Sequence, residues 1–172
     1  NKKNMLKKIA LIALFVLPVS AMAQSLKFGH FKAADVVTAL PEYKTATEKL
    51  QTTQKQYEDE MKRTDDELQK KLQDFNQKKD SLPQNIADRR QKELQDMYQR
   101  GQEYEQNAQT EMQKLQKQLM DPILEKVQNA VTAVGQAGGY TYIFDLSSIT
   151  IPYVGIGSTD VTSQIKTKLG LK

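Results

Sequence analysis

Two long stretches of the chain repeat an apolar residue every few positions, and a proline separates them. In the first stretch the apolar residues are spaced by seven or by four: Tyr43, Leu50, Tyr57, Met61, Leu68, Phe75 and Leu82. The second stretch alternates threes and fours: Leu94, Met97, Gly101, Tyr104, Ala108, Met112, Leu115, Leu119, Ile123, Val127, Ala130 and Val134. So narrow a stripe is typical of a coiled-coil seam, because it cannot cover a globular core. The pattern predicts two long helices that pair with each other.

The two predicted helices reverse direction near Pro83. Proline cannot continue the helical hydrogen-bond ladder and restricts the residue before it, so residues 81–85 are predicted to form the tip of a hairpin. A single kinked helix is the alternative, but it would leave both apolar stripes without a partner. The sequence therefore predicts a helical hairpin over residues 42–134, with a first arm about 60 Å long at helical rise.

Residues 25–41 and 135–172 flank the hairpin and are predicted to form a small α+β body. We expect strands and short helices in the following places: strands at 26–31, 140–146 and 149–154, a helix at 33–39, and a last helix starting at 160–162 with Thr162 as N-cap. The second arm should be interrupted by a kink at Pro122 and should end in the glycines of 135–139.

The predicted body is too small to be stable by itself. At roughly 55 residues, a domain buries only about 60% of its chain surface, so we expect neighbouring subunits to cover the rest. Four apolar residues of the predicted strands are candidates for the core of the body or of an oligomer: Phe28, Tyr142, Ile143 and Phe144.

The N-terminus is predicted to be an export signal. Lysines and an apolar stretch occupy residues 7–19, and the small residues Ala21 and Ala23 mark a cleavage point, so removal of residues 1–23 is expected. A retained membrane anchor is the alternative, but the apolar stretch is too short to span a bilayer as a helix. The chain contains no cysteine, which excludes lipid attachment at the cut as well as disulfides. We therefore expect a soluble periplasmic protein.

Charge argues against a nucleic-acid partner. The chain has 25 Lys and Arg against 21 Asp and Glu, and the excess equals the four lysines within the first eight residues. The mature chain is thus expected to be nearly neutral. A local excess of positive charge is predicted at the hairpin tip, where five basic residues accompany Asp80 and Asp88: Lys78, Lys79, Arg89, Arg90 and Lys92.

Motifs for catalysis, cofactors or metals find little support. His30 is the only histidine and has no cysteine or HExxH motif beside it, so a structural role is predicted. Residues 155–157 begin like a dinucleotide loop but lack its third glycine, and the GxxG at 135–138 stands where a helix cap is expected. No phosphate-binding P-loop occurs. We therefore expect no enzyme activity, no cofactor, no metal and no use of ATP.

The aromatic and methionine side chains of the arms allow two interpretations. They are first of all predicted seam residues, yet such side chains also form adaptable binding surfaces of low specificity. Tyr98 is one position off the seam and is the best candidate for facing outward. The candidate binding residues are Tyr57, Met61, Phe75, Met97, Tyr98, Tyr104 and Met112.

Four segments of the chain resemble the Skp (OmpH-like) family of periplasmic chaperones. They are the entry at 40–43, the re-entry at 122–127, the GYTYIFD segment at 139–145 and the DVT segment at 160–162. The resemblance covers essentially all of the mature chain. It implies a homotrimer whose strands assemble into one small β body, with three hairpins hanging around a cavity.

The resemblance also implies a function. Clients would be unfolded outer-membrane β-barrel proteins, held without ATP by many weak contacts and released to the assembly machinery of the outer membrane. Contact of the tip with membrane or lipopolysaccharide is left open. The alternative is an exported coiled-coil spacer or scaffold without a client, and an enzyme is a distant third.

Overall fold

The chain forms a helical hairpin on a small α+β body, as predicted. A computed structural model describes residues 26–171, so the expected signal peptide at 1–23 lies outside the described part. The elements in chain order are β1 (Phe28–Phe31), α1 (Ala33–Val37), α2 (Pro41–Lys78), a 3-10 turn (Lys79–Ser81), α3 (Gln84–Gly138), β2 (Tyr142–Asp145), β3 (Ser158–Asp160) and α4 (Thr162–Lys168).

Helices α2 and α3 are the two arms of the hairpin. Helix α2 has Pro41 in its first turn, where the missing N–H of proline needs no partner, and Pro83 is the N-cap of α3. The second arm is not interrupted at Pro122, because α3 stays helical through it, and the kink predicted there stays a prediction. The helix ends at Gly138, within the glycine-rich stretch 135–139 where its end was predicted. It stops where Gly139 takes a left-handed conformation with φ 64°.

The body contains a parallel sheet of three strands in the order β2-β1-β3. Strands β1 and β2 lie within the strands predicted at 26–31 and 140–146, and they pair in parallel from Phe28 opposite Tyr142 onward. The strand predicted at 149–154 is wrong: that segment is irregular, and its Pro152 has no N–H to offer a ladder. The third strand is instead Ser158–Asp160, which pairs with the other edge of β1.

The core of the body lies where α1, α4 and the bases of both arms meet the sheet. Its four most buried large side chains come from α1, from α4 and from the residues just before α2 and α4: Val36, Leu40, Val161 and Ile165. Below Pro122, helix α3 adds an aliphatic face: Ile123, Val127, Ala130, Val131 and Val134. The arms therefore supply part of the cover that the small body lacks.

The junction of α3 and β2 is closed by Tyr140. Its ring lies so close to Gly138 that a Cβ there would clash with it, which explains the glycine. Lys27 Nζ lies 4.2 Å from the centroid of the ring and donates a 2.7 Å hydrogen bond to the carbonyl of Gly138. A cation at the C-terminal end of a helix is favourable, so this lysine stabilises the end of α3.

In both short helices of the body, the first backbone N–H donates a hydrogen bond to an aspartate that lies outside the helix. Thr162 is not the predicted N-cap of α4: it is the first helical residue, and its N–H donates to Asp160 Oδ1 at 2.9 Å. Helix α1 has no side-chain cap at Lys32. Instead Asp145 Oδ1 accepts the N–H of Ala33 at 3.0 Å, from the end of β2.

Asp145 is expected to stabilise the body through this cap. Burial tends to raise the pKa of Asp145, but hydrogen bonds from Ser148, Ala33 and Ser147 outweigh it, so the pKa is lowered from its ordinary value. Asp145→Ala should lower the free energy of unfolding by about 1–2 kcal/mol at neutral pH. Asp66→Ala, which removes an exposed carboxylate from an arm, is the matched control.

The pH dependence of this loss follows from the lowered pKa. The stabilisation by Asp145 is fully present above the unfolded pKa of about 3.9 and is lost as the pH falls through the lower folded pKa. Urea titrations of both variants from pH 7 to acid should therefore show the Asp145→Ala deficit shrinking only below about pH 4. A deficit absent at pH 7, or equal to that of the control, would contradict the capping role.

Candidate functional site

The predicted seam is confirmed along both arms. Every predicted seam position is buried or half-buried. At mid-arm the rings of Tyr57 and Tyr104 meet edge to face, with centroids 5.9 Å apart and planes at 62°. Burial raises the pKa of Tyr104, and the neighbouring Glu60 carboxylate and Tyr57 raise it further. The two rings thus join the arms by an aromatic contact at this level.

Most of the candidate binding residues belong to this seam. Met97 is buried in it, and the others there are half-buried: Tyr57, Met61, Phe75, Tyr104 and Met112. Tyr98 stands outside the seam with 56% of its surface exposed, as its offset predicts. Its hydroxyl accepts a 2.9 Å hydrogen bond from Gln102 Nε2. Joining the arms is therefore the structural role of all the candidates except Tyr98.

Exposed apolar side chains are few on the arms. Among the described residues, the large ones on the arms are Leu72, Tyr98 and Leu124. The body carries more of them: Leu26, Tyr142, Phe144, Ile149, Tyr153, Val154 and Ile156. The outer faces of the arms are thus mainly polar, and apolar contact with a partner depends on openings into the seam.

One such opening is a cleft of about 540 Å³ between the two arms, at the level of Gly101. Its apolar walls come from both helices: Met61, Leu68, Met97, Tyr98 and Tyr104. Charged groups form its rim, among them Lys71, which bridges the arms by a 2.5 Å contact to Glu93 Oε1. The lining of the cleft is thus divided about equally between apolar and polar surface.

The basic tip is partly neutralised by Asp74, which the sequence count left out. The Asp74 carboxylate pairs with Lys78 on its own helix and, at 2.8 Å, with Arg90 Nη1 on the other arm. Hydrogen bonds from these two cations lower the pKa of Asp74. In residues 26–171, the remaining basic residues of the tip make no ion pair: Lys79, Arg89 and Lys92.

A row of aromatic rings covers one face of the sheet. Phe28 stacks on Tyr142 with centroids 6.3 Å apart, and Tyr142 stacks on Phe144 at 6.0 Å. In the single chain Tyr142 is 59% and Phe144 37% exposed, so their predicted place in the core of the body or of an oligomer stays a prediction that only an oligomer could fulfil. Successive side chains of a strand point to opposite faces, so only Ile143 reaches the core.

The single histidine, His30, is a residue of strand β1. His30 Nδ1 is 2.8 Å from the hydroxyl of Ser158, and this contact joins β1 to β3.

No cluster of potential metal ligands occurs within residues 26–171. In the same range, no helix has the length and apolar character needed to cross a membrane.

Comparison with known proteins points to one family. The family described as outer membrane protein (OmpH-like) matches residues 27–169. A solved structure of a proposed outer membrane chaperone (OmpH-like) from Caulobacter crescentus CB15 has the same fold, with a TM-score of 0.70 and 17% sequence identity. The match covers 84% of this chain and 83% of that one. No curated protein sequence matches the chain significantly.

Proposed function

This chain belongs to the OmpH-like family, and on that premise we propose that it is a periplasmic chaperone for unfolded outer-membrane β-barrel proteins. It holds its clients without ATP, prevents their aggregation and passes them on to the outer membrane. The observation that carries the proposal is the hairpin. Its 38-residue first arm extends about 57 Å and buries only one narrow seam. An arm of this kind stabilises little of its own chain, so its faces are available to a partner.

The chemistry of the arms suits a forgiving contact. A strand of a membrane barrel is apolar at alternate residues and cannot bury them in water. Half-buried methionine side chains, such as Met61 and Met112, can repack against many partners. Several weak contacts made by linked arms together give strong binding, without specific recognition. The proposed chaperone therefore holds a client by number of contacts rather than by sequence.

We further propose that the protein assembles with itself, as a homotrimer, through the aromatic face of the sheet. Two of its large rings, Tyr142 and Phe144, are exposed in the single chain. The open sheet also has unpaired edges at β2 and β3, which a neighbouring subunit can cover. Three hairpins projecting from one joint body would surround a space for the client.

The tip has a separate proposed role in the first encounter. The unpaired cations Lys79, Arg89 and Lys92 attract acidic segments of a client. Beside them a depression of about 530 Å³ combines Phe75 and Leu94 with basic side chains, a chemistry that also fits the phosphates and acyl chains of lipopolysaccharide or membrane. Both roles of the tip depend on screened charges and should weaken with salt.

Aggregation of an unfolded barrel protein, diluted from urea and followed by light scattering, tests the function. The wild-type protein should suppress the scattering. Neutralising Lys79, Arg89 and Lys92 to glutamine should weaken suppression at low salt and matter little at physiological salt, where charges are screened beyond about 8 Å. These three are chosen because removing Lys78 or Arg90 would leave Asp74 without its partners.

The apolar contribution is tested in the same assay. Tyr98→Ser with Leu72→Ser should raise aggregation at both salt concentrations, because salt does not weaken apolar burial. Gln116→Ser, at an exposed residue of α3 like Tyr98, is the control. A wild-type protein without any effect on scattering would favour the coiled-coil scaffold instead. Loss of holding at physiological salt by the tip variant alone would identify charge as the main force.

A further inference from the structure

The seam of the hairpin has a hole at Gly101. This residue occupies a seam position of α3, where the other residues place a side chain between the arms. A Cβ added at Gly101 would meet no atom within 4 Å. The hole therefore opens into the cleft of about 540 Å³ and is one reason that the cleft exists.

None of the usual structural reasons for a glycine applies at Gly101. Positive φ angles occur within residues 26–171 only at Gly139 and Gly170, so the backbone at Gly101 is accessible to any residue. No neighbouring segment approaches closely, unlike Tyr140 at Gly138. Glycine is also the poorest helix former after proline, so it weakens the arm. What it provides at this position is space, and a volume of several hundred Å³ is in the range of ligand pockets.

The walls of the cleft suit a flat aromatic ring. Met61 and Met97 bring thioethers from both arms, and sulfur makes favourable contacts with aromatic rings. Tyr104 is held in place by its edge-to-face contact with Tyr57. Tyr98 stands half-exposed at one wall, where a second ring can pack against it. An entering aromatic side chain would thus fill the missing seam position.

The rim of the cleft selects the charge beside that ring. Lys71 is engaged by Glu67 at 3.6 Å and by Glu93 at 2.5 Å. In residues 26–171 no ion pair involves the other two acidic residues of the rim, Asp65 and Glu105. The remaining basic group of the lining is Arg100, so acidic groups outnumber basic ones four to two. Lysine or arginine next to the entering ring is therefore favoured.

We propose that the Gly101 cleft binds an aromatic side chain of an unfolded client strand that has a lysine or arginine close to it. This inference rests on the proposed function, because membrane barrels carry rings of aromatic residues at both edges of their apolar band. It assigns to each hairpin a defined binding point in an otherwise polar arm. The other contacts of the client can remain weak and non-specific.

Peptide binding tests the site directly. Because the chain has no tryptophan, tryptophan fluorescence in the mixture comes from the peptide only. The probe is a flexible Ser/Gly peptide with one tryptophan between two lysines, titrated with the whole protein while its emission is recorded. Binding should shift the emission to the blue. Replacing the tryptophan by serine, with a dye as reporter, should abolish binding, and replacing the lysines by glutamates should weaken it, most at low salt.

The matched variants fill the hole without damaging the helix. Gly101→Leu should reduce affinity for the probe about tenfold or more, as expected for losing one buried aromatic contact. Gly101→Ala should cause a smaller loss. Gln116→Leu adds the same side chain at an exposed position of α3 and should change nothing. Circular dichroism should show equal or higher helix content in both Gly101 variants, because glycine is removed from a helix.

The outcome separates this inference from the proposed function. No blue shift with wild type, or equal affinity of wild type and Gly101→Leu, overturns the cleft as a binding site even if the protein still suppresses aggregation of a barrel client. Failure of wild type to suppress that aggregation overturns the chaperone function, whatever the peptide does. Binding that follows the aromatic residue, the lysines and the space at Gly101 supports the inference.

Discussion

Replacing Tyr142 and Phe144 together by serine is expected to convert the assembled protein into folded monomers. Both side chains project from the exposed face of β2, so in the single chain their truncation removes the aromatic stack with Phe28 but none of the buried core. In an assembly the part of each ring that is exposed in the single chain, 59% of Tyr142 and 37% of Phe144, would be buried at about 25 cal/mol per Å². The loss should reach several kcal/mol for each assembled complex, enough to weaken association more than a hundredfold.

Sedimentation velocity of wild type and variant measures this effect. The expected result is a trimer for wild type and a monomer with unchanged helix content for the double variant. Leu124→Ser provides the control, since it removes an exposed apolar residue from the arm instead of the sheet. Trimers in both proteins would show that the aromatic face is not the interface, and a monomeric wild type would remove self-association from the proposal.

The body should be equally sensitive to a change in its core. Ile165 is fully buried in α4, where it belongs to the same cluster as Val36, Leu40 and Val161. Ile165→Ala should lower the free energy of unfolding by about 3 kcal/mol, from lost burial and the cavity left behind. For a body of this size such a loss is a large part of the total stability.

Urea unfolding of the whole chain, followed by its tyrosine fluorescence, measures the loss. Leu124→Ala is the control, because that side chain is 54% exposed on α3 and its truncation should change the free energy of unfolding by only about 0.5 kcal/mol. Equal stability of the two variants would mean that α4 is not docked on the body as described. A loss confined to Ile165→Ala confirms that the C-terminal helix is an integral part of the core.

The hairpin was predictable because its signal is local. Residues three, four or seven apart lie on one face of a helix. The spacing of the apolar residues from Tyr43 to Leu82 therefore predicts that they are buried against the other arm. Proline and glycine act on the backbone next to them, which is why the turn at Pro83 and the helix end at Gly139 could be predicted. The outward position of Tyr98 follows from the same periodicity. The helix was expected to be interrupted at Pro122, but the packed arm keeps its helix through the proline.

The details of the body could not be predicted, because they depend on contacts between residues that are far apart in the sequence. The cap of α1 joins Ala33 to Asp145, 112 positions away, and His30 meets Ser158 across 128 positions. Strand β3 is only three residues long, too short for an alternation to predict it, and it is defined by pairing with β1.

The charges and the cleft of the hairpin depended on register. Asp74 neutralises Arg90 only because the two arms align at that level. Gly101 was predictable as a seam position, but whether a facing side chain filled the gap could be decided only by the tertiary structure. Periodicity along the chain thus determined which residues face inward, because the spacing of residues along a helix fixes which side chains share a face. The folded chain decided what each one meets there, because that partner lies far away in the sequence.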